Sequence, residues 1–253
     1  MVKVSRYAVK GLSEELLPEI TLSVGQGVPG DRTYALALSS TVFDDAHPLP
    51  LPKTSFAVLM RYAGLASLSS KYDHDTTMLE LHRADGWHAA GRLATPEGRG
   101  IIESAIAEHL KGDLKGIPRM VQAEGHRFTD ISVVSAEMME AVSLISLPSV
   151  RDFALKIGKN VDARRFRANF LVDGWDAWQE FDLIGKEIWI GDVKFKVATR
   201  TKRCAATEVN PDTAERDIRL PVELLKKFGH GDMGVYLTVE TDGIVRTGDV
   251  VRI

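Results

Sequence analysis

Arg200-Thr-Lys-Arg-Cys-Ala-Ala-Thr-Glu-Val-Asn-Pro-Asp-Thr213 carries Cys204, the only cysteine of the 253-residue chain. A thiol reacts and binds metals as the thiolate, and Arg200, Lys202 and Arg203 set positive charge within four residues of it. A lone cysteine excludes an intrachain disulfide and any multi-thiolate zinc or iron–sulfur centre. It can be a nucleophile, one ligand to a metal held mainly by other groups, or an inert buried thiol. The flanks of this stretch decide the architecture. Upstream, Glu187–Ile190 and Val193–Thr199 read as a hairpin around Gly191-Asp192. Downstream, Ile218–Phe228 reads as a basic-ended helix stopped by Gly229.

Working outward, short strands dominate. Val2–Val9, Glu19–Val24, Tyr34–Leu38, Ile131–Val134, Asn169–Val172, Val235–Glu240 and Asp249–Ile253 are each apolar runs between polar or glycine flanks. Met78–His82 and Gly86–Leu93 pair around Arg83-Ala-Asp-Gly86, where Asp-Gly signals a hairpin. Helices are expected at Phe56–Leu68, at Ala136–Leu144 after a Ser135 cap, and at Val150–Ile157. The clearest helix follows Thr95 as cap and Pro96 in the first turn, with Ile101, Ile102, Ala105, Ile106 and Leu110 as its apolar face. Many strands and few helices predict an α+β, β-rich protein centred on a β-barrel. Residues 111–130 lack regular pattern, which predicts an N-terminal region over 1–115 and a β-barrel domain over 116–253.

Composition narrows the function. A formal charge of -3 carries no general footprint for nucleic acid. The first ten residues lack the apolar core of a secretory signal, and no apolar run reaches the roughly 20 residues of a membrane span. With one cysteine, a reducing cytoplasmic location without membrane attachment is expected.

Other motifs divide by context. Gly25-Gln-Gly-Val-Pro-Gly30 fits the dinucleotide-binding spacing, but Asp31–Leu38 reads as strand where a helix N-terminus must hold the pyrophosphate, so the Rossmann reading fails. Gly30-Asp31-Arg32 instead places a guanidinium at a tight turn, free to fork onto an oxyanion or to pair with Asp31. Arg167 and Asn169, two apart, share a face if the backbone there is extended. Lys10 ends a strand before Gly11. Ser135, Ser39 and Thr207 lack a nucleophile elbow. The seven histidines show no metal-helix spacing; His82 and His88 flank a hairpin and can approach each other, but read as surface residues. Trp175 and Trp178 read as half-buried loop anchors.

Together these residues resemble the MOSC family, named for the C-terminal domain of molybdenum cofactor sulfurases. The resemblance rests on Tyr7-Ala-Val-Lys-Gly-Leu12, Gly30-Asp-Arg32, Arg165-Phe-Arg-Ala-Asn169, Ile190-Gly-Asp192, Arg203-Cys204, Asn210-Pro-Asp-Thr213 and Val245-x-x-Gly-Asp249. Within the family the pattern is similar to mitochondrial amidoxime-reducing components and bacterial reductases of N-hydroxylated bases. It implies a MOSC β-barrel preceded by a MOSC-associated region, and a bound molybdenum cofactor, Mo-molybdopterin, with no pyridoxal phosphate expected. Cys204 would be the catalytic thiolate ligand to molybdenum. Lys10, Arg32, Arg167 and Asn169 would hold the pterin and its phosphate, Gly11 and Arg203 belong to the matching motifs, and Ser135 and Thr207 would line the site. Ala168 replaces the usual proline of the Arg-Pro-Asn run, and Ala214 the usual glycine after Asp-Pro-x-Thr. The implied reaction is molybdenum-dependent reduction of a small N-hydroxylated substrate. No cysteine set for an iron–sulfur cluster is present, so electrons would come from a separate ferredoxin-, flavin- or cytochrome-type partner. A Cys204 persulfide serving sulfur transfer or cofactor delivery, and a non-catalytic anion binder, are the competing readings.

Overall fold

Apolar–polar alternation builds one large sheet in the computed structural model, which describes residue 1 and residues 3–253. Val2, where the first expected strand begins, lies outside the described residues. The sheet contains β1 (Lys3–Arg6), β2 (Glu15–Leu17), β3 (Val142–Ser146), β4 (Phe170–Val172), β5 (Glu187–Ile190), β6 (Val193–Lys202), β7 (Asp232–Val239) and β8 (Val251–Arg252). Their spatial order is β8-β5-β6-β7-β3-β4-β1-β2. The α-helices among the described residues are α1 (Pro96–His109), α2 (Leu147–Ile157), α3 (Gln179–Asp182) and α4 (Leu220–Phe228). The expected closed β-barrel is corrected to a curled half-barrel. Its end strands β8 and β2, two and three residues long, pair on one side only.

The period of two decides which side chains meet. Leu144 and Phe170 point to one face with Val4, Phe195 and Leu237, all fully buried. Ile145 points to the other, where Phe153 of α2 and Leu220 and Leu224 of α4 cover it. Each such side chain contributes about 1.5–3 kcal/mol on burial. β3 and β4 are the parallel pair of the sheet, with Phe170 opposite Leu144, and α2 lies in the connection between them.

The N-terminal half packs around α1. Thr95 caps it, its hydroxyl oxygen accepting from the Gly98 amide at 3.1 Å, and Pro96 occupies the first turn. Ile102, Ala105 and Ile106 are buried, whereas Ile101, expected on that face, is half exposed. A Cβ on Gly91 would come within 2.2 Å of the Gly98 carbonyl oxygen, so two glycines let α1 rest directly on the sheet strand beneath it. That three-stranded sheet, Ser69–Asp73, Met78–His82 and His88–Arg92, contains the expected Asp-Gly hairpin. A further two-stranded ladder joins Ala35–Ala37 to Arg119–Val121, inside the stretch that looked patternless.

Two helical expectations are corrected. Ala136–Leu144 is a 3-10 turn over Ala136–Glu140 running into β3, whose five residues are all buried. Phe56–Leu68 keeps only a 3-10 turn at Ala63–Ser67. The strand expected at Ile131–Val134 is likewise a 3-10 turn, Ile131–Val133.

Candidate cofactor-binding site

β6 is the longest strand, and it delivers Cys204. Its bulge between Arg200 and Lys202 ends the ladder, and the chain turns into the 3-10 segment Ala205–Glu208. Thr207 fixes that turn: its amide and its hydroxyl donate to the Cys204 carbonyl at 3.0 and 2.8 Å. Cys204 is left half-buried on the wall of a cavity of about 620 Å³.

The cavity gathers residues from both halves of the chain. Lys10, Gly11 and Arg32 come from the first third, Arg167 and Asn169 from the turn into β4, and Arg203, Cys204 and Thr207 from the end of β6. Ser135 does not line the cavity; its neighbour Val134 does, and Ser143 of β3 faces it. The Asp31-Arg32 turn satisfies both of its readings at once, because Arg32 pairs with Asp31 and also donates from Nη2 to the Arg167 carbonyl at 2.9 Å. Asp31 is itself anchored, accepting from the Tyr7 amide at 2.7 Å.

Arg167 does not occupy the extended backbone that would align it with Asn169. It caps the 3-10 turn Ala163–Phe166 at φ 53°, and Arg32 has φ 51°. Both are left-handed conformations that cost a non-glycine residue about 1–2 kcal/mol. Their guanidinium groups lie 4.8 Å (Arg32) and 4.4 Å (Arg167) from the centre of the Tyr7 ring. Burial brings the Arg167 pKa down to about 10, and does the same for Arg203. Arg167 donates to the Leu12 carbonyl at 2.6 Å, Arg203 to the carbonyls of Met233 and Phe166, and neither forms an ion pair among the described residues.

Asn169 holds the scaffold. Its Oδ1 accepts from the amide and hydroxyl of Ser143, and its Nδ2 donates to the Ser5 carbonyl at 3.2 Å. One amide hydrogen remains for a ligand. Gly11, at φ 94°, must be glycine: a Cβ there would stand 2.6 Å from the Ala57 carbonyl oxygen.

Several lining residues escaped the sequence reading, Asp130, Lys53, Thr201 and Tyr236 among them. Asp130 bridges Lys10 and Lys53. Burial opposes its charge, but the two ammonium groups outweigh that and hold its carboxyl well below the usual range. Burial also opposes the charge of Lys53, which Asp130 and Cys204 together more than offset, raising its pKa. Thr201 is buried with its hydroxyl unpartnered, and Tyr236 stands on β7 facing the same space. Lys53 and Asp130 lie in loops without a motif; for Thr201 and Tyr236 the only available signal was strand alternation. Trp178 lies elsewhere, packed on Phe181 and Phe228 with its ring nitrogen donating to Asp152 at 2.8 Å.

Electrostatics tests what the cavity suits. Lys10, Arg32, Lys53, Arg165, Arg167, Arg200, Lys202 and Arg203 line it against one carboxylate, Asp130, in a chain whose formal charge is -3. Unpaired guanidinium groups in a partly desolvated space are costly unless an anion meets them. The free thiol and the orphaned Thr201 hydroxyl add a soft metal ligand and a spare donor. These residues fit an anionic cofactor that carries a soft metal.

The fold is thus a strand-rich α+β protein with a cation-lined cavity around one cysteine, a lining suited to an anion. The MOSC domain model matches residues 126–252, half of the chain, and the chain belongs to the MOSC domain family. Mitochondrial amidoxime reducing component 2 of Rattus norvegicus is 34% identical over 122 residues, which cover 44% of this chain and 36% of that protein. Mitochondrial amidoxime-reducing component 1 of Homo sapiens is 31% identical over 179 residues, covering 61% of this chain and 52% of that protein. The chain thus matches about half, or less, of the length of these curated relatives. Among the described residues no helix is long and apolar enough to cross a membrane.

Proposed function

We propose that this chain is a molybdenum-cofactor-dependent reductase of N-hydroxylated compounds in which the Cys204 thiolate ligates molybdenum. The carrying observation is the cavity itself, where Cys204 shares a wall with eight cationic side chains and a single carboxylate. Family membership and the names of the curated relatives support the same reading. When bound, the cofactor supplies two-electron reduction of the N–O bond, releasing amine or amidine and water.

The chain's own residues do the rest. Arg32, Arg167 and Arg203, with Lys10 and Asn169, would hold the anionic part of the cofactor. Their geometry is fixed beforehand by main-chain carbonyls, so little ordering is left for binding. Thr207 sets the direction of Cys204 through its carbonyl. The Lys53 ammonium, whose charge is opposed by burial but held by Asp130 and Cys204, lines the same cavity as the thiol. Electrons come from a separate donor protein. The division into a MOSC-associated region, 1–115, and a MOSC domain, 116–253, is part of the same proposal.

Protein made in a cofactor-competent host should contain molybdenum and reduce an amidoxime with a reduced dye, while Cys204→Ala should lose the activity. Absence of molybdenum with Cys204 intact, or full activity in Cys204→Ala, would overturn the reading.

A further inference from the structure

We propose that Glu80, His82 and His88 form a surface site for a divalent transition-metal cation of the zinc class, apart from the Cys204 cavity. The hairpin makes the site. His82 and His88 are directly opposed in the antiparallel register of Met78–His82 and His88–Arg92, and Glu80 lies two residues before His82 on the same face. Their neighbours Leu79 and Leu81 point the other way into the core, so the outward direction of the three ligands is fixed by burial.

Distances suit coordination. One ligand atom from each residue lies within 4.8 Å of the other two, and His82 Nε2 is 3.4 Å from Glu80 Oε2. Ligands held 2.0–2.2 Å from a tetrahedral zinc ion stand roughly 3.3–3.5 Å apart. One pair is already at that separation, and the half-exposed Glu80 and His82 and the exposed His88 can close the rest by small rotations. The imidazole ring centroids are 4.8 Å apart and the rings tilted by 35°. The turn is stiff, since Arg83 donates its amide to the Trp87 carbonyl at 2.9 Å and Asp85 accepts from both residues. Two imidazoles and a carboxylate are the donor set of borderline divalent metals, and three protein ligands leave a position for water. Lys71, opposite Glu80 on the adjacent strand, is the nearby cation that opposes binding.

Calorimetric titration of the full chain with zinc chloride, in wild-type, Cys204→Ala and His82→Ala/His88→Ala proteins, tests the site. The expected result is one zinc per chain in wild type and in Cys204→Ala, with affinity at least tenfold weaker in the histidine double variant. Equal affinity in the double variant, or loss of binding in Cys204→Ala alone, would overturn it. The far-ultraviolet circular dichroism of each variant confirms that the sheet is intact. Failure of this test leaves the reductase proposal untouched, because none of the three residues lines the Cys204 cavity.

Discussion

Arg32 donates from Nη2 to the main-chain carbonyl of Arg167 at 2.9 Å, joining two left-handed residues that lie 135 positions apart. Each guanidinium also contacts the Tyr7 ring, so the two cations are held close by an aromatic face and a carbonyl rather than by carboxylates alone. Like charges kept in this way are pre-arranged for an anion.

Arg32→Lys should separate the two functions of that side chain. A lysine reaches Asp31 or the Arg167 carbonyl, but not both with a planar fork. The expected loss is about 1.5–3 kcal/mol in urea unfolding, the range for a hydrogen bond to a charged group, together with lower molybdenum content. An unchanged unfolding midpoint would remove Arg32 from the scaffold.

Glu180 should make stability depend on pH. Burial pushes its pKa up to about 7 from an ordinary 4.5, despite the Ser149 hydroxyl donating to it at 2.7 Å. Between those values the folded chain binds more protons than the unfolded one, so stability falls as pH rises from about 4.5 through 7. Glu180→Gln should flatten that slope and gain up to about 3 kcal/mol above the window. Parallel pH curves for the two proteins would contradict this.

Ala214 adopts φ 58° at the position where the family pattern has glycine. The turn is held by its amide donating to the Asn210 carbonyl at 2.9 Å, and the Cβ makes the conformation costly. Ala214→Gly should therefore raise the thermal midpoint, corresponding to about 1 kcal/mol, with the cofactor site unaltered. A lower midpoint would mean that the entropy of the unfolded chain outweighs the relieved strain.

The sequence was legible where one rule acted alone. Thr95-Pro96 marks the start of α1 because capping is local, and Asp-Gly marks its hairpin for the same reason. It misled at Val142–Ser146, because a strand buried on both faces of a sheet loses the alternation that distinguishes it from a helix. Barrel closure was illegible since it depends on whether the end strands meet, which no local pattern encodes. In the site, Lys10, Arg32, Arg167, Arg203 and Cys204 stood in motifs and the structure brings them together, whereas Lys53 and Asp130 became neighbours only through the folding of two loops.

β1 precedes its long-range partner β4 by some 165 residues, with Val4 opposite Phe170. At roughly 5–20 residues per second, a ribosome needs on the order of 10–30 s to deliver that partner. Until then the β1–β2 hairpin has no sheet to join and must remain shielded or transiently open. Vectorial synthesis should therefore leave this hairpin undocked until β4 emerges, and the nascent chain most vulnerable to proteases during that interval.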